Sequence, residues 1–281
     1  MKILITGKGG QLGTTLEKGI SGHELTVVGI DELDLSKPDQ IHGILSNYDF
    51  DCLINTAAYT AVDQAESEEE LAQLVNGDSV GQIAKHCKER GAKFIHFSTD
   101  FVFDGLLSRP YLEDDRCNPI NVYGATKLDG EMQAVAMNSE SIIIRTSWVY
   151  SVYGKNFLKT MFTLGQDREK LTVVKDQIGS PTSTRTLLKV TSAVIENDVE
   201  PGVYHVSDEG VASWYDFAVC IMKLAELDCK VFPIPATDYP TPAKRPGFSV
   251  MNKSKITSAL GLDLPHWEEA LSEVITQLKN E

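Results

Sequence analysis

A phenol and an ammonium stand four residues apart in Tyr123-Gly124-Ala125-Thr126-Lys127. In a helix that spacing puts both on one face, so both reach into one cleft. Such a pair suits proton delivery to a carbonyl under reduction. An ordinary phenol, with a pKa of about 10, gives up its proton reluctantly near neutrality, and a neighbouring ammonium favours the phenolate. Thr99, after Ser98, adds a hydroxyl that can hold the substrate oxygen or the phenol. Tyr-x-x-x-Lys alone recurs by chance; its weight comes from the segments around it.

Thr6-Gly7-Lys8-Gly9-Gly10-Gln11-Leu12-Gly13 follows a short apolar run and opens a helical pattern. There Gly7 permits a tight turn, Gly10 lets backbone approach a pyrophosphate, and Gly13 allows close helix packing. The helix start at Gln11 and Leu12 offers N–H donors to the anion. Ile30-Asp31-Glu32-Leu33-Asp34-Leu35 follows the second apolar run, where a carboxylate meets ribose hydroxyls, which makes Asp31, Asp34 and Leu35 candidates. A 2′-phosphate calls for Arg or Lys, so the segment leans to NADH over NADPH, while Lys8 and Lys37 leave dual use open. After the third run, Ala58, Tyr59 and Thr60 leave room for a cofactor, or for close strand-to-helix packing.

The elements that must position these groups are apolar runs at 2–6, 25–30, 52–55, 94–98 and 142–145. They alternate with helical spacing such as Leu71, Leu74, Val75 and Ile83, Ala84, Cys87. Alternation of this kind predicts an α/β fold, a Rossmann-like doubly wound parallel sheet with both faces covered. Residues 1–150 form the expected dinucleotide-binding domain, with a returning segment near 183–206. Residues 151–281 mainly build a smaller C-terminal substrate-binding lobe. Residues 175–183 read as loop, and 232–246, with five prolines, as irregular backbone. The acidic run Glu66, Glu68, Glu69, Glu70 reads as carboxylates complementing a helix start rather than as a metal site.

Composition narrows the function classes. A net charge of −14 disfavours nucleic acid. No apolar run reaches the roughly 20 residues of a membrane span, and the start lacks the length and cleavage region of a signal peptide. Five cysteines with no Cys-x-x-Cys pair, and histidines with no His-x-x-x-His arrangement, argue against a disulfide framework and a zinc site. A reducing, cytoplasmic setting is expected. An anionic ligand needs a local basic pocket, for which Lys244-Arg245 is the best candidate against a plain surface pair; the planar guanidinium of Arg245 suits phosphate oxygens.

Taken together, the Gly7–Gly13 turn, Thr99 and Tyr123-x-x-x-Lys127 resemble the extended short-chain dehydrogenase/reductases. Within them the chain resembles the dTDP-4-dehydrorhamnose reductase family, through Ala57-Ala58-Tyr59-Thr60-Ala61-Val62-Asp63, Ser98-Thr99-Asp100-Phe101-Val102-Phe103, Arg145-Thr146-Ser147-Trp148-Val149-Tyr150, Asp176-Gln177-Ile178-Gly179-Ser180-Pro181-Thr182 and Pro242-Ala243-Lys244-Arg245-Pro246. The resemblance implies hydride transfer from NADPH or NADH to C4 of dTDP-4-dehydro-6-deoxy-L-mannose, giving dTDP-L-rhamnose. Tyr123 would be the proton donor, Lys127 its partner and the holder of the nicotinamide ribose, and Thr99 the third catalytic group. Thr99, Asp100, Trp148 and Arg245 are the substrate candidates. Asp100 would meet a sugar hydroxyl or cap a loop, and Trp148 would stack on the sugar, wall it or simply be buried. Asn156, Gln177 and Thr182 are weaker suggestions.

Two departures from the family stand out. Phe101 replaces a common tyrosine. Some members are thought to hold magnesium with glutamates at a dimer interface, and one of these falls at Thr15, so no metal is carried over; a homodimer stays open. Rival readings are a nucleotide-sugar C4 epimerase or dehydratase and a non-catalytic NAD(P)-binding regulator. Dehydration would want Glu after Thr99-Asp100, where the chain has Phe101. A regulator would have no need of Thr99, Tyr123 and Lys127 together.

Overall fold

A computed structural model of the chain describes residues 1–280. Strands β1 (Lys2–Thr6), β2 (Glu24–Val28), β3 (Cys52–Asn55), β4 (Lys93–Thr99), β5 (Ile142–Thr146) and β6 (Gly202–His205) form one sheet in the order β6-β5-β4-β3-β1-β2. Every pairing is parallel. The order reverses between β1 and β3, the place where sheets of this kind bind ligands.

Side-chain alternation divides the sheet into two apolar faces. Ile3, Ile5, Ile54, Ile95 and Ile144 pack against helices α1 (Gln11–Gly19) and, further along the chain, Thr184–Glu196. Leu4, Leu53, Phe94 and Ile143 pack on the other side against α2 (Pro38–Leu45), α3 (Ser79–Arg90) and Ala134 of α4 (Val122–Met137). Burial on both faces explains why these strands read as unbroken apolar runs. A third core lies in the second half, where α5 (Phe157–Asp167), α6 (Thr184–Glu196) aside, α7 (Trp214–Ala225) and α8 (Trp267–Lys279) enclose Leu158, Phe217, Ile221 and Leu271.

Three details depart from the sequence reading. The second strand ends at Val28, two residues early, because Leu33 N donates to Gly29 O at 2.9 Å and turns the chain. The helix over Leu71 to Cys87 contains one widened π turn, Leu74–Asp78, and Gly130 of α4 passes so near it that a Cβ would collide with the Asn76 carbonyl. The proline-rich stretch begins within a strand, Lys230–Ile234, paired in parallel with Lys170–Val174. Pro233 is tolerated because a two-stranded ribbon leaves each strand one unpaired edge. Among the described residues, no helix is long and apolar enough to cross a membrane.

Candidate active site

A groove of about 760 Å³ runs along the carboxyl ends of the strands, from the glycine turn to Tyr123 and Lys127. Gly7 sits at φ +92° with Thr56 Oγ1 against the place a Cβ would occupy, so only glycine fits there. Thr56 Oγ1 donates to Thr6 O at 2.5 Å and pins the reversal of the sheet. A Cβ on Gly13 would strike the Gly7 carbonyl, so Gly13 serves packing, while Gly7, Gly10, Gln11 and Leu12 line the groove. No side chain caps α1, which leaves its first-turn N–H groups for an anion.

Ala58, Tyr59 and Thr60 also line the groove. The buried Asn76 of the π turn holds that segment, accepting from Tyr59 N at 2.9 Å and donating to Tyr59 O at 3.1 Å. At the ribose end, Asp34 and Leu35 line the groove and the exposed Asp31 does not. The Lys37 ammonium and Ser36 hold the Asp34 carboxyl down at about 2. Glu32, unassigned from sequence, accepts from Gly29 N at 2.9 Å and lies 3.7 Å from Lys8 Nζ.

Helix α4, which carries Tyr123 and Lys127, is started by Asn121, whose Oδ1 accepts from Gly124 N at 2.7 Å. Gly124 packs on the Phe101 carbonyl where a Cβ would collide, which sets Tyr123 beside the end of β4 and Thr99. The Phe101 ring meets Tyr123 edge-on, 5.7 Å between centroids. Burial pushes the phenol up to about 12, against the Thr99 hydroxyl, with the Asp100 charge adding to the rise. The group easing the phenol here is Thr99, one of the two expected from sequence to tune it; the Lys127 charge does not figure among the causes of the shift. Burial lowers Lys127 to about 8, opposed by Glu131 one turn on. Glu131 is fixed in place, because Arg145 of β5 donates to both its oxygens, with Nη2 at 2.7 Å from Oε2.

Beyond Tyr123, Asp100 is buried and raised to about 6, mainly by that burial. Its carboxylate accepts from Ser249 Oγ at 2.5 Å and Thr99 Oγ1 at 3.1 Å, clasping β4 to a segment 149 residues on. Trp148 adopts φ +47°, a strained conformation for a bulky side chain. Its indole stacks on Trp214, 3.6 Å between centroids, and Gly179 backs it so closely that a methyl would collide. Trp148 thus forms wall rather than an open stacking face. Arg245 donates to Asp63 through Nη1 at 3.0 Å and Nη2 at 2.8 Å. It also lines a second cavity of about 960 Å³ with Gln177, Trp214 and Thr241. Lys244 contributes its carbonyl, which accepts from Asn121 Nδ2 at 2.7 Å. Asn156 donates to Gln11 Oε1 at 2.9 Å, and Thr182 N donates to Trp148 O at 3.2 Å.

Thr15 lies within 2.9 Å of both Gln11 O and Thr184 Oγ1, and among the described residues no three His, Cys, Asp or Glu gather to hold a metal. These residues do not fit magnesium. Groups that the sequence reading passed over are Asn76, Asp63, Ser249, and the pair Asn55 and His96. The last two had a signal: polar side chains inside otherwise apolar strands.

Residues 1–280 match the family model described as "RmlD substrate binding domain". The dTDP-4-dehydrorhamnose reductase of Burkholderia thailandensis is 38% identical, covering 99% of each chain. The chain belongs to this family. A crystal structure of a dTDP-4-dehydrorhamnose reductase from Clostridium acetobutylicum superposes with a TM-score of 0.95 at 39% identity, covering 99% of this chain and 100% of that one. The Bacillus anthracis reductase, solved in complex with NADP, also gives a TM-score of 0.95, at 35% identity over 98% and 99%. In this chain Tyr123 and Lys127 meet the groove at the carboxyl ends of the strands.

Proposed function

We propose that the protein reduces the C4 ketone of dTDP-4-dehydro-6-deoxy-L-mannose to give dTDP-L-rhamnose, using NADH or NADPH. The observation that carries this reading is the joint arrival of Tyr123 and Lys127, one helical turn apart, in the groove that begins at the uncapped helix α1. The cofactor, when bound, supplies the hydride. Tyr123 delivers the proton to the oxygen that becomes the C4 hydroxyl, so no free alkoxide need form. Thr99 orients that oxygen and the phenol. Lys127 holds the nicotinamide ribose, and Gly7, Gly10 and the first turn of α1 take the pyrophosphate.

In this reading the sugar lies under the Trp148 and Trp214 wall, and Arg245 turns toward the diphosphate from the second cavity. Residues 1–150 with 183–206 act as the cofactor unit, and the remainder of 151–281 as the sugar-nucleotide lobe. Five free cysteines suit a reducing cytoplasm. Every group named in this mechanism belongs to one chain. Phe101 in place of Glu removes the second acid that elimination of water would need.

The test is to mix purified protein with dTDP-4-dehydro-6-deoxy-L-mannose and follow NADH and NADPH oxidation separately. Stoichiometric oxidation with either is the expected result. A protein that binds cofactor yet consumes none would point to C4 epimerisation or to a regulatory role.

A further inference from the structure

A row of three polar side chains crosses the face of the sheet that looks toward α4. They lie side by side: Thr6 of β1 pairs with Asn55 of β3, and Asn55 pairs with His96 of β4. Their side chains connect in the same order. Thr6 Oγ1 donates to Asn55 Oδ1 at 2.6 Å, and Asn55 Nδ2 lies 3.0 Å from His96 Nδ1. His96 Nε2 in turn lies 3.3 Å from Lys127 Nζ. All are almost wholly buried: Asn55 and His96 have no exposure, and Thr6 and Lys127 have 2% each. Apolar residues in these places would pack without any need for hydrogen bonds, so a row of three calls for a reason.

We propose that His96, oriented by Asn55, is a positioning residue that holds Lys127 in its ammonium form with one N–H aimed into the cofactor groove. The inference rests on the reductase reading for the role of Lys127. An ammonium has three donors. One goes to Phe97 O at 2.7 Å; His96 Nε2, 3.3 Å away, takes a second when it carries no hydrogen, which leaves the third for the ribose and the phenol. Neutral His96 accepts at Nε2 only if its hydrogen sits on Nδ1, and Asn55 is the group that meets that atom. The amide as it stands turns Nδ2 toward that atom; exchanging the amide's oxygen and nitrogen, which have nearly the same shape, turns Oδ1 to the Nδ1 hydrogen and Nδ2 to the Thr6 hydroxyl, which then accepts. In the opposite orientation two hydrogens oppose each other between Nε2 and Nζ unless Lys127 gives up a proton. The orientation of one buried amide is thereby linked to the charge of the catalytic lysine.

The ionisable groups around Lys127 are few. His96 comes from β4 and stays neutral, its pKa driven far down by burial and by the Lys127 charge. Glu131 and Tyr123 flank Lys127 one turn on either side along α4, and Arg145 of β5 locks Glu131. Asp100 stands beyond Tyr123. Against the burial that lowers Lys127, a charge-assisted bond to His96 favours the ammonium.

His96→Phe keeps the ring and removes both nitrogens; His96→Gln can return an acceptor near the Nε2 position. Wild type, His96→Phe and His96→Gln are compared by the pH dependence of keto-sugar reduction and, independently, of NADH affinity. The expected result is an alkaline limb moved about one unit lower in His96→Phe, in both readouts, and restored in His96→Gln. Wild-type alkaline limbs in His96→Phe would overturn the proposal. Should His96→Phe not fold, nitrogen NMR of wild type with labelled histidine, in the NADH complex at pH 7, decides. An unprotonated Nε2 upholds the role, and a protonated Nε2 overturns it. If wild type fails to reduce the keto sugar, the reductase reading falls, while NADH affinity and NMR still test His96.

Discussion

The two sides of the cleft are built in different ways. On the cofactor side, groups are placed by backbone: Gly7 at positive φ, Gly13 pressed on the Gly7 carbonyl, an uncapped helix start, and strand ends in fixed register. On the side proposed for the sugar, they are placed by side-chain clasps between segments far apart in the chain. Arg245 grips Asp63, Asn121 grips the Lys244 carbonyl, and Ser249 grips Asp100. Backbone placement is rigid and depends on residue type at one position. Clasp placement depends on two partners, and it can be released and remade when a charged ligand competes for one of them.

Perturbing each side should therefore give separable effects. The largest belongs to the seam between them. Tyr123→Phe removes the proton donor without changing shape, so kcat should fall about 10²–10⁴-fold while NADH affinity stays near wild type; steady-state kinetics with fluorescence titration of NADH checks both. A wild-type kcat would remove Tyr123 from its role. Next comes Arg245→Ala, which deletes the charged fork of the sugar side. KM for the sugar nucleotide should rise roughly 10–100-fold, as expected for loss of a charge-assisted contact, with NADH affinity unchanged. An equal loss of cofactor affinity would mean that the two sides are not separable.

Gly13→Ala probes the backbone side. The new methyl meets the Gly7 carbonyl, so α1 must shift and NADH affinity should drop by about one order of magnitude, with about 1–3 kcal/mol lost in stability. Isothermal titration and thermal melts measure these, and KM for the sugar nucleotide at saturating NADH should move little.

The smallest effect lies away from the cleft. Asp208 accepts from Ser183 N at 2.9 Å while its other oxygen lacks a partner, and burial raises it to about 7. A carboxyl with a raised folded pKa binds a proton on folding. Stability is then fully present below the unfolded pKa of about 4 and is lost as pH rises toward 7. Asp208→Asn should leave stability at pH 4 nearly unchanged and add up to about 4 kcal/mol at pH 8, three units at about 1.4 kcal/mol each, read as a rise in melting temperature. A variant less stable than wild type at pH 8 would contradict the assignment.

The same contrast explains what could be read from the sequence. Gly7, Gly10, Tyr123, Lys127 and the strands around them were legible because backbone devices need particular residue types at short spacing. The family resemblance then supplied the substrate class. Arg245 was legible as a charge but not as a partner of Asp63, 182 residues away, because a clasp leaves no local spacing. Trp148 was visible as an aromatic after the fifth strand, yet its covering by Trp214 and Gly179 depends on the tertiary fold. Asn55 and His96 gave a faint signal, polarity within apolar strands, whose meaning appears only once their register across the sheet is known.

The most direct test of the account follows the hydride itself. The protein is given dTDP-4-dehydro-6-deoxy-L-mannose and NADH deuterated at the transferable position, and the product is analysed by NMR and mass spectrometry. The account predicts one deuterium at C4 of a 6-deoxyhexose nucleotide for each NADH oxidised. A product without deuterium at C4, or an altered sugar formed with no net oxidation of NADH, would contradict it.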